Sequence, residues 1–151
     1  MSRERCIVDS TVLIRVILEK KFDLLEKLMD YEVYVPINVL EETLFKIIML
    51  TLEAKTGTKK FYELKELFEK SKDIPDIIER IHLLNKIKSK FIVLDLNERI
   101  FDQSKKIIIE YRLLPNDALI AAAAKLYGIG KIATFDSDFR KVDFIEMIDL
   151  E

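Results

Sequence analysis

The sequence predicts an α/β protein: a three-layer α/β/α stack around a mostly parallel central sheet. Three observations carry this. Short apolar runs alternate along the chain with longer helical segments, the pattern of βαβ units whose sheet is covered on both faces. Two of the runs end in an acid, as in Ile7-Val8-Asp9 and Thr134-Phe135-Asp136. Gly and Pro number only three each, which leaves little material for long irregular loops.

Cys6-Ile7-Val8-Asp9 has the continuous apolar form of a central parallel strand. Residues 11–20 and 23–30 read as helices. Val33-Tyr34-Val35 is the second strand. Pro36 stops it, and Asn38 is expected to cap a helix running to about Leu50. Residues 51–90 hold no strand signal. They read as a helical excursion from the sheet, with segments at about 58–70 and 75–90. Gly57 ends the helix before the first, and Pro75 opens the second in its first turn. Phe91-Ile92-Val93-Leu94 is the third strand, followed by a helix over about 97–111. Pro115-Asn116 then opens a helix over 117–127 that stops at Gly128. Lys131-Ile132-Ala133-Thr134 is the fourth strand and residues 144–148 the fifth. No repeat or flexible linker interrupts the chain, so residues 1–151 read as one domain, long enough for a real core.

Composition narrows the chemistry. A single Cys excludes an internal disulfide, and Cys6 reads as a small packed hydrophobe beside a strand. A single His, His82, excludes a histidine-rich metal centre. Arg3-Glu4-Arg5 runs straight into a strand, so no leader is expected. No apolar run reaches the roughly 20 residues of a spanning helix. The chain reads as cytoplasmic, with no membrane role. The net charge of −2 means that any nucleic acid must be met through local patches or a metal. Arg140-Lys141 is such a patch, able to meet a phosphate backbone close in sequence to Asp136.

What remains for chemistry is a set of acids at element boundaries, which suits a hard divalent cation that takes oxygen ligands and keeps several waters. Asp9 follows the first strand. Ser10 is able to cap the next helix, which leaves Asp9 free, and Ser10 and Thr11 are candidates to orient it. If Asn38 is the cap, Glu41 sits where a capping box would use it. Glu42 then lies at the edge of an apolar stripe, where a carboxylate needs a partner. Asp117 stands at the mouth of the Ala-rich helix, with Asn116 available to cap. Asp136 and Asp138 lie two residues apart and would face the same way in an extended stretch. Thr134 is placed to bond a carboxylate. In a parallel sheet the site lies beyond the carboxyl ends of the strands, where strand order reverses. Asp73, Asp76, Asp95 and Asp143 read as turn or surface residues.

These segments together resemble the PIN-domain family of metal-dependent ribonucleases, most closely its VapC-type toxins. Ile7-Val8-Asp9-Ser10-Thr11-Val12-Leu13-Ile14 looks like the family's opening strand and first acid. Val35-Pro36-Ile37-Asn38-Val39-Leu40-Glu41-Glu42 looks like the second motif, with the Glu at Glu42. Leu114-Pro115-Asn116-Asp117-Ala118-Leu119-Ile120-Ala121-Ala122 is the strongest match and places the third acid at Asp117. Ala133-Thr134-Phe135-Asp136-Ser137-Asp138-Phe139 looks like the fourth, with the acid at Asp136. The resemblance implies Mg²⁺ or Mn²⁺ and cleavage of single-stranded RNA. For the toxin members it also implies a homodimer and a cognate antitoxin. Residues 51–90 are longer than the shortest toxins allow.

Other classes fit less well. A haloacid-dehalogenase-like phosphatase wants a second Asp two residues after the first, and Thr11 stands there. A response-regulator receiver wants an adjacent acidic pair near the N-terminus and a Lys after a late strand, and neither is clear. A PIN fold kept as a non-catalytic RNA- or protein-binding module would not be expected to retain all four acids.

Overall fold

The computed structural model describes residues 3–72 and 74–151, so Asp73 lies outside the described residues. The chain runs β1 (Arg5–Val8), α1 (Ser10–Leu18), α2 (Asp23–Leu28), β2 (Glu32–Pro36), α3 (Ile37–Thr56), α4 (Phe61–Lys70), α5 (Pro75–Lys88), β3 (Ile92–Leu94), α6 (Glu98–Tyr111), α7 (Pro115–Tyr127), β4 (Lys131–Ala133), a 3₁₀ turn (Ser137–Lys141) and β5 (Glu146–Met147). The strands form one sheet in the order β3-β2-β1-β4-β5, and every pairing is parallel. Cys6, Ile7 and Val8 of the central strand are wholly buried, as a continuous apolar run covered on both faces requires.

The topology places the site. From β1 the chain steps outward to β2 and β3, then returns past β1 to β4 and steps the other way to β5. Parallel crossovers are right-handed, so these opposite steps send α1–α5 to one face and α6 and α7 to the other. The packing agrees: α1, α3 and α5 lie against one another, and α6 lies against α7. The order reverses between β1 and β4, where Ile7 faces Ile132 and Val8 faces Ala133. In parallel sheets such a reversal leaves a crevice beyond the carboxyl ends of the strands. The Asp9 N–H donates to the Ala133 carbonyl at 3.0 Å and carries the ladder to the rim of the crevice.

The helical excursion at 51–90 is built as expected, from the last turn of α3 with α4 and α5. Buried Leu64, Ile77, Leu84 and Ile87 bind it to the main core. Arg80 donates to the Thr51 hydroxyl, and Lys55 pairs with Asp76 at 3.2 Å. Helix α3 continues six residues past the expected end at Leu50, because nothing breaks it before Gly57, whose φ of 77° closes it in the left-handed region.

Two expected caps are corrected. Asn38 does not cap α3: Pro36 holds the cap position in extended conformation, and Asn38 is already the second helical residue. Asn116 does not cap α7: Leu114 does so through its backbone, Pro115 takes the first helical position, and Asn116 the second. Proline prefers that first position because its missing N–H has no helical partner there. Glu41 has no cap to fold back upon and points to solvent.

Cys6 is buried in β1, and that burial, with Glu4 nearby, pushes its thiol up to about 12. It is a packing residue and not a thiolate. His82 lies exposed on α5.

Candidate carboxylate site

Asp9 is the floor of the crevice. Only 2% of it is exposed, yet both oxygens are engaged. Oδ1 accepts the Ser10 N–H at 2.8 Å. Oδ2 accepts the Thr11 hydroxyl at 2.9 Å and the Thr134 hydroxyl at 2.7 Å. The expectation that Ser10 would cap α1 and leave Asp9 free is therefore corrected: Asp9 is the cap, and Ser10 is the first helical residue. Ser10 contributes its backbone N–H to Asp9.

The two threonines lock this carboxylate to β4. The Thr11 hydroxyl accepts the Phe135 N–H at 3.0 Å, and the Thr134 hydroxyl accepts the Asp136 N–H at 2.9 Å. Each hydroxyl thus donates to Asp9 and accepts from the loop that carries Asp136. Asp136 in turn caps the 3₁₀ turn, its Oδ1 accepting the Asp138 N–H at 2.9 Å. On the other side of that loop the Arg15 guanidinium lies 3.7 Å from the centre of the Phe135 ring. Thr11 and Arg15 of α1 thus both hold the loop after β4 at Phe135.

Asp117 enters from the first turn of α7. Ala118 and Ala121–Ala124 are fully buried in that helix, and side chains this small let it lie close in. One oxygen each from Asp117, Asp136 and Asp138 lies within 4.8 Å of the others. Asp136 and Asp138 meet there not as alternate residues of an extended stretch, as expected, but because Asp136 caps the 3₁₀ turn in which Asp138 is the second residue. Asp9 and Glu42 stand outside this tight trio, although Asp117 senses the charge of both. Glu42, four residues along α3 from Asn38, accepts a hydrogen bond from the Asn116 amide. Asn116 was singled out by the sequence as a supporting residue, but its contact is this amide and not a cap.

The electrostatics follow from the crowding. Burial comes first, then the charges of Asp9, Asp136 and Glu42, and these with a hydrogen bond to Asp136 raise the Asp117 carboxyl from its ordinary 3.8 to about 7. The folded protein therefore holds this proton more tightly than the unfolded chain does. The contribution to stability is complete below the unfolded pKa and is lost as pH rises from about 4 through about 7. In chelator, the protein should melt at a lower temperature at about pH 8 than the Asp117→Asn variant does, and the gap should shrink below about pH 7 and close only near about pH 4. A cation bound among these acids would compete with that proton, so millimolar Mg²⁺ should raise the melting temperature more at the higher pH. Parallel melting curves for the two proteins across this range, with no effect of Mg²⁺ or Mn²⁺, would contradict the arrangement.

Residues 6–145 match the PIN domain family. The chain is 35% identical over 156 residues to ribonuclease VapC6 of Methanocaldococcus jannaschii, covering 98% of this chain and 99% of that protein. It is 38% identical over 156 residues to ribonuclease VapC2 of the same organism, covering 99% and 97%. Among solved structures it is similar to the DNA-bound VapBC of Salmonella typhimurium, with a TM-score of 0.67 at 16% identity over 98% of each chain, a likeness of fold. A family match running from β1 past the last acid of the cluster, with relatives aligned almost end to end, agrees with what the crevice displays: this chain belongs to the PIN domain family.

Proposed function

We propose that this chain is a metal-dependent endoribonuclease, acting as one nuclease domain over residues 1–151 and hydrolysing RNA phosphodiesters. The observation that carries the reading is the trio Asp117, Asp136 and Asp138, with oxygens within 4.8 Å of one another at the strand-order reversal. Three hard oxygen donors on a rigid frame fit Mg²⁺ or Mn²⁺, which keep waters in their remaining positions. Asp9 and Glu42 add two more charges around the same crevice. When bound, such a cation neutralises charge on phosphoryl oxygens and makes water more acidic. The names of the VapC relatives support the same activity.

The chain's own groups supply the rest. Asp9 Oδ2 already accepts two hydroxyls, whereas Oδ1 accepts one N–H and keeps a lone pair for a further partner. Asp9 or Asp117 positions or deprotonates the attacking water. The loop after β4, fixed by Thr11 and Thr134, keeps Asp136 and Asp138 from moving apart.

The partners follow from the same reading: single-stranded RNA as substrate, a second copy of the chain, and a small antitoxin. The support for the last is the VapC naming of the relatives and the toxin–antitoxin complexes among the structures of like fold. Among the described residues no helix is long and apolar enough to cross a membrane. We place the protein in the cytoplasm.

The test is cleavage of single-stranded RNA by the purified protein. Cleavage should require Mg²⁺ or Mn²⁺, stop in EDTA and fall by about a hundredfold or more in Asp9→Asn. RNA that is bound but left whole at every metal concentration would favour a non-catalytic module.

A further inference from the structure

We propose that Asn38 is a positioning residue for Glu42, acting through Asn116; this rests on the reading of Glu42 as part of a cation site. Asn38 and Glu42 are four residues apart on α3 and so lie one above the other on a single face. The side chain of Asn116, arriving from α7, spans the gap between them. Asn38 Nδ2 donates to Asn116 Oδ1 at 2.8 Å, and Asn116 Nδ2 donates to Glu42 Oε2.

The direction of this relay is forced. If the Asn116 amide turned over, its Nδ2 would face the donor of Asn38 and its Oδ1 would face a carboxylate. Asn38 is itself held by a second contact, Nδ2 to the Asn116 carbonyl at 3.3 Å. If Asn38 turned over, its oxygen would meet two acceptors. The orientation that satisfies Glu42 therefore requires Asn38 to present Nδ2, and this has a cost. Asn38 Oδ1 is buried without a hydrogen-bond partner. An unsatisfied buried acceptor is destabilising and uncommon, and it calls for a reason other than stability. An apolar side chain of the same size would avoid that cost. It would also remove the donor that anchors the Asn116 side chain, and so leave Asn116 and Glu42 free to swing together away from Asp117.

The experiment is Mn²⁺ titration followed by thermal melting and by calorimetry, on the intact protein and on Asn38→Leu, Asn116→Leu, the double variant and Glu42→Gln. Asn38→Leu should weaken Mn²⁺ binding by about tenfold, the scale of losing a residue that orients a ligand. Its melting temperature in chelator should shift little, because removal of the orphaned acceptor offsets the loss of the two hydrogen bonds to Asn116. Asn116→Leu should weaken Mn²⁺ binding to a similar degree, and adding Asn38→Leu to it should weaken binding no further, since both act through one path. If Asn38→Leu lowers the chelator melting temperature and leaves Mn²⁺ binding intact, Asn38 is structural only and the proposal fails. Additive losses in the double variant overturn the relay. If Glu42→Gln leaves Mn²⁺ binding unchanged, the cation-site reading itself fails, and that outcome is distinct from the other two.

Discussion

Replacing Glu42 with Gln is expected to reduce RNA cleavage by roughly a hundredfold or more while the fold persists. Gln keeps the length of the side chain and an oxygen to accept the Asn116 amide, so the link between α3 and α7 survives. What is lost is one negative charge beside Asp117, which the crowding of acids otherwise raises. A cation held by carboxylates loses attraction with each charge removed, whereas the metal-free protein gains from relieved repulsion. The signature is therefore lower activity with an equal or higher melting temperature in chelator. Glu41→Gln is the control. Glu41 is exposed and bonds nothing at the helix start, so its loss should change neither quantity. Steady-state cleavage and melting curves for the two variants decide between adjacent residues that the sequence separates only by argument. Full activity in Glu42→Gln would mean that the second acid of the site lies elsewhere.

That separation shows where local reasoning reaches and where it stops. The rim positions of Asp9 and Asp136 were legible because each follows a short apolar run, and a parallel sheet collects such ends at one edge; Asp138 was legible only from its spacing to Asp136. Glu42 was chosen over Glu41 on the premise that Asn38 caps α3. The structure removes the premise and leaves the two acids as the sequence sorted them, one inward and one exposed. The error has one physical source. Cap preference describes a helix end in isolation, where Asn is among the best residues. Here the N-termini of α3 and α7 meet each other, and Asn38 and Asn116 spend their amides across that junction. Prolines beside each start set the backbone instead. A contact between residues 78 positions apart has no local pattern to betray it. The same holds for Asp9, whose role as a cap is compatible with a site because the capping oxygen Oδ1 accepts a single N–H, while Oδ2 is held by Thr11 and Thr134.

The products should carry a 5′-phosphate and a 3′-hydroxyl. The chain has one histidine, and it lies exposed on α5, outside the carboxylate cluster. Its one cysteine is buried, with a thiol pushed up to about 12, so it supplies no thiolate at neutral pH. The hydroxyls of Thr11 and Thr134 are committed as donors to Asp9. With no His, reactive Cys or Ser–base pair at the cluster among the described residues, the attacker is either water or the ribose 2′-hydroxyl. Attack by the ribose ordinarily uses a base at the 2′-oxygen and an acid at the leaving 5′-oxygen, the paired roles of groups that titrate near neutrality. This crevice offers carboxylates in one cluster, suited to collecting positive charge and holding water. In-line attack by water expels the 3′-oxygen and leaves the phosphate on the 5′ side. It does not use the 2′-hydroxyl, so a substrate with 2′-deoxyribose at the cleaved position should be cut at a rate within about tenfold of the parent RNA, a difference of about 1.4 kcal/mol in barrier. Mass analysis of the fragments reads the end groups directly. A 2′,3′-cyclic phosphate, a deoxy substrate that resists cleavage, or activity that survives EDTA would each assign the attack to the ribose and remove water from the mechanism.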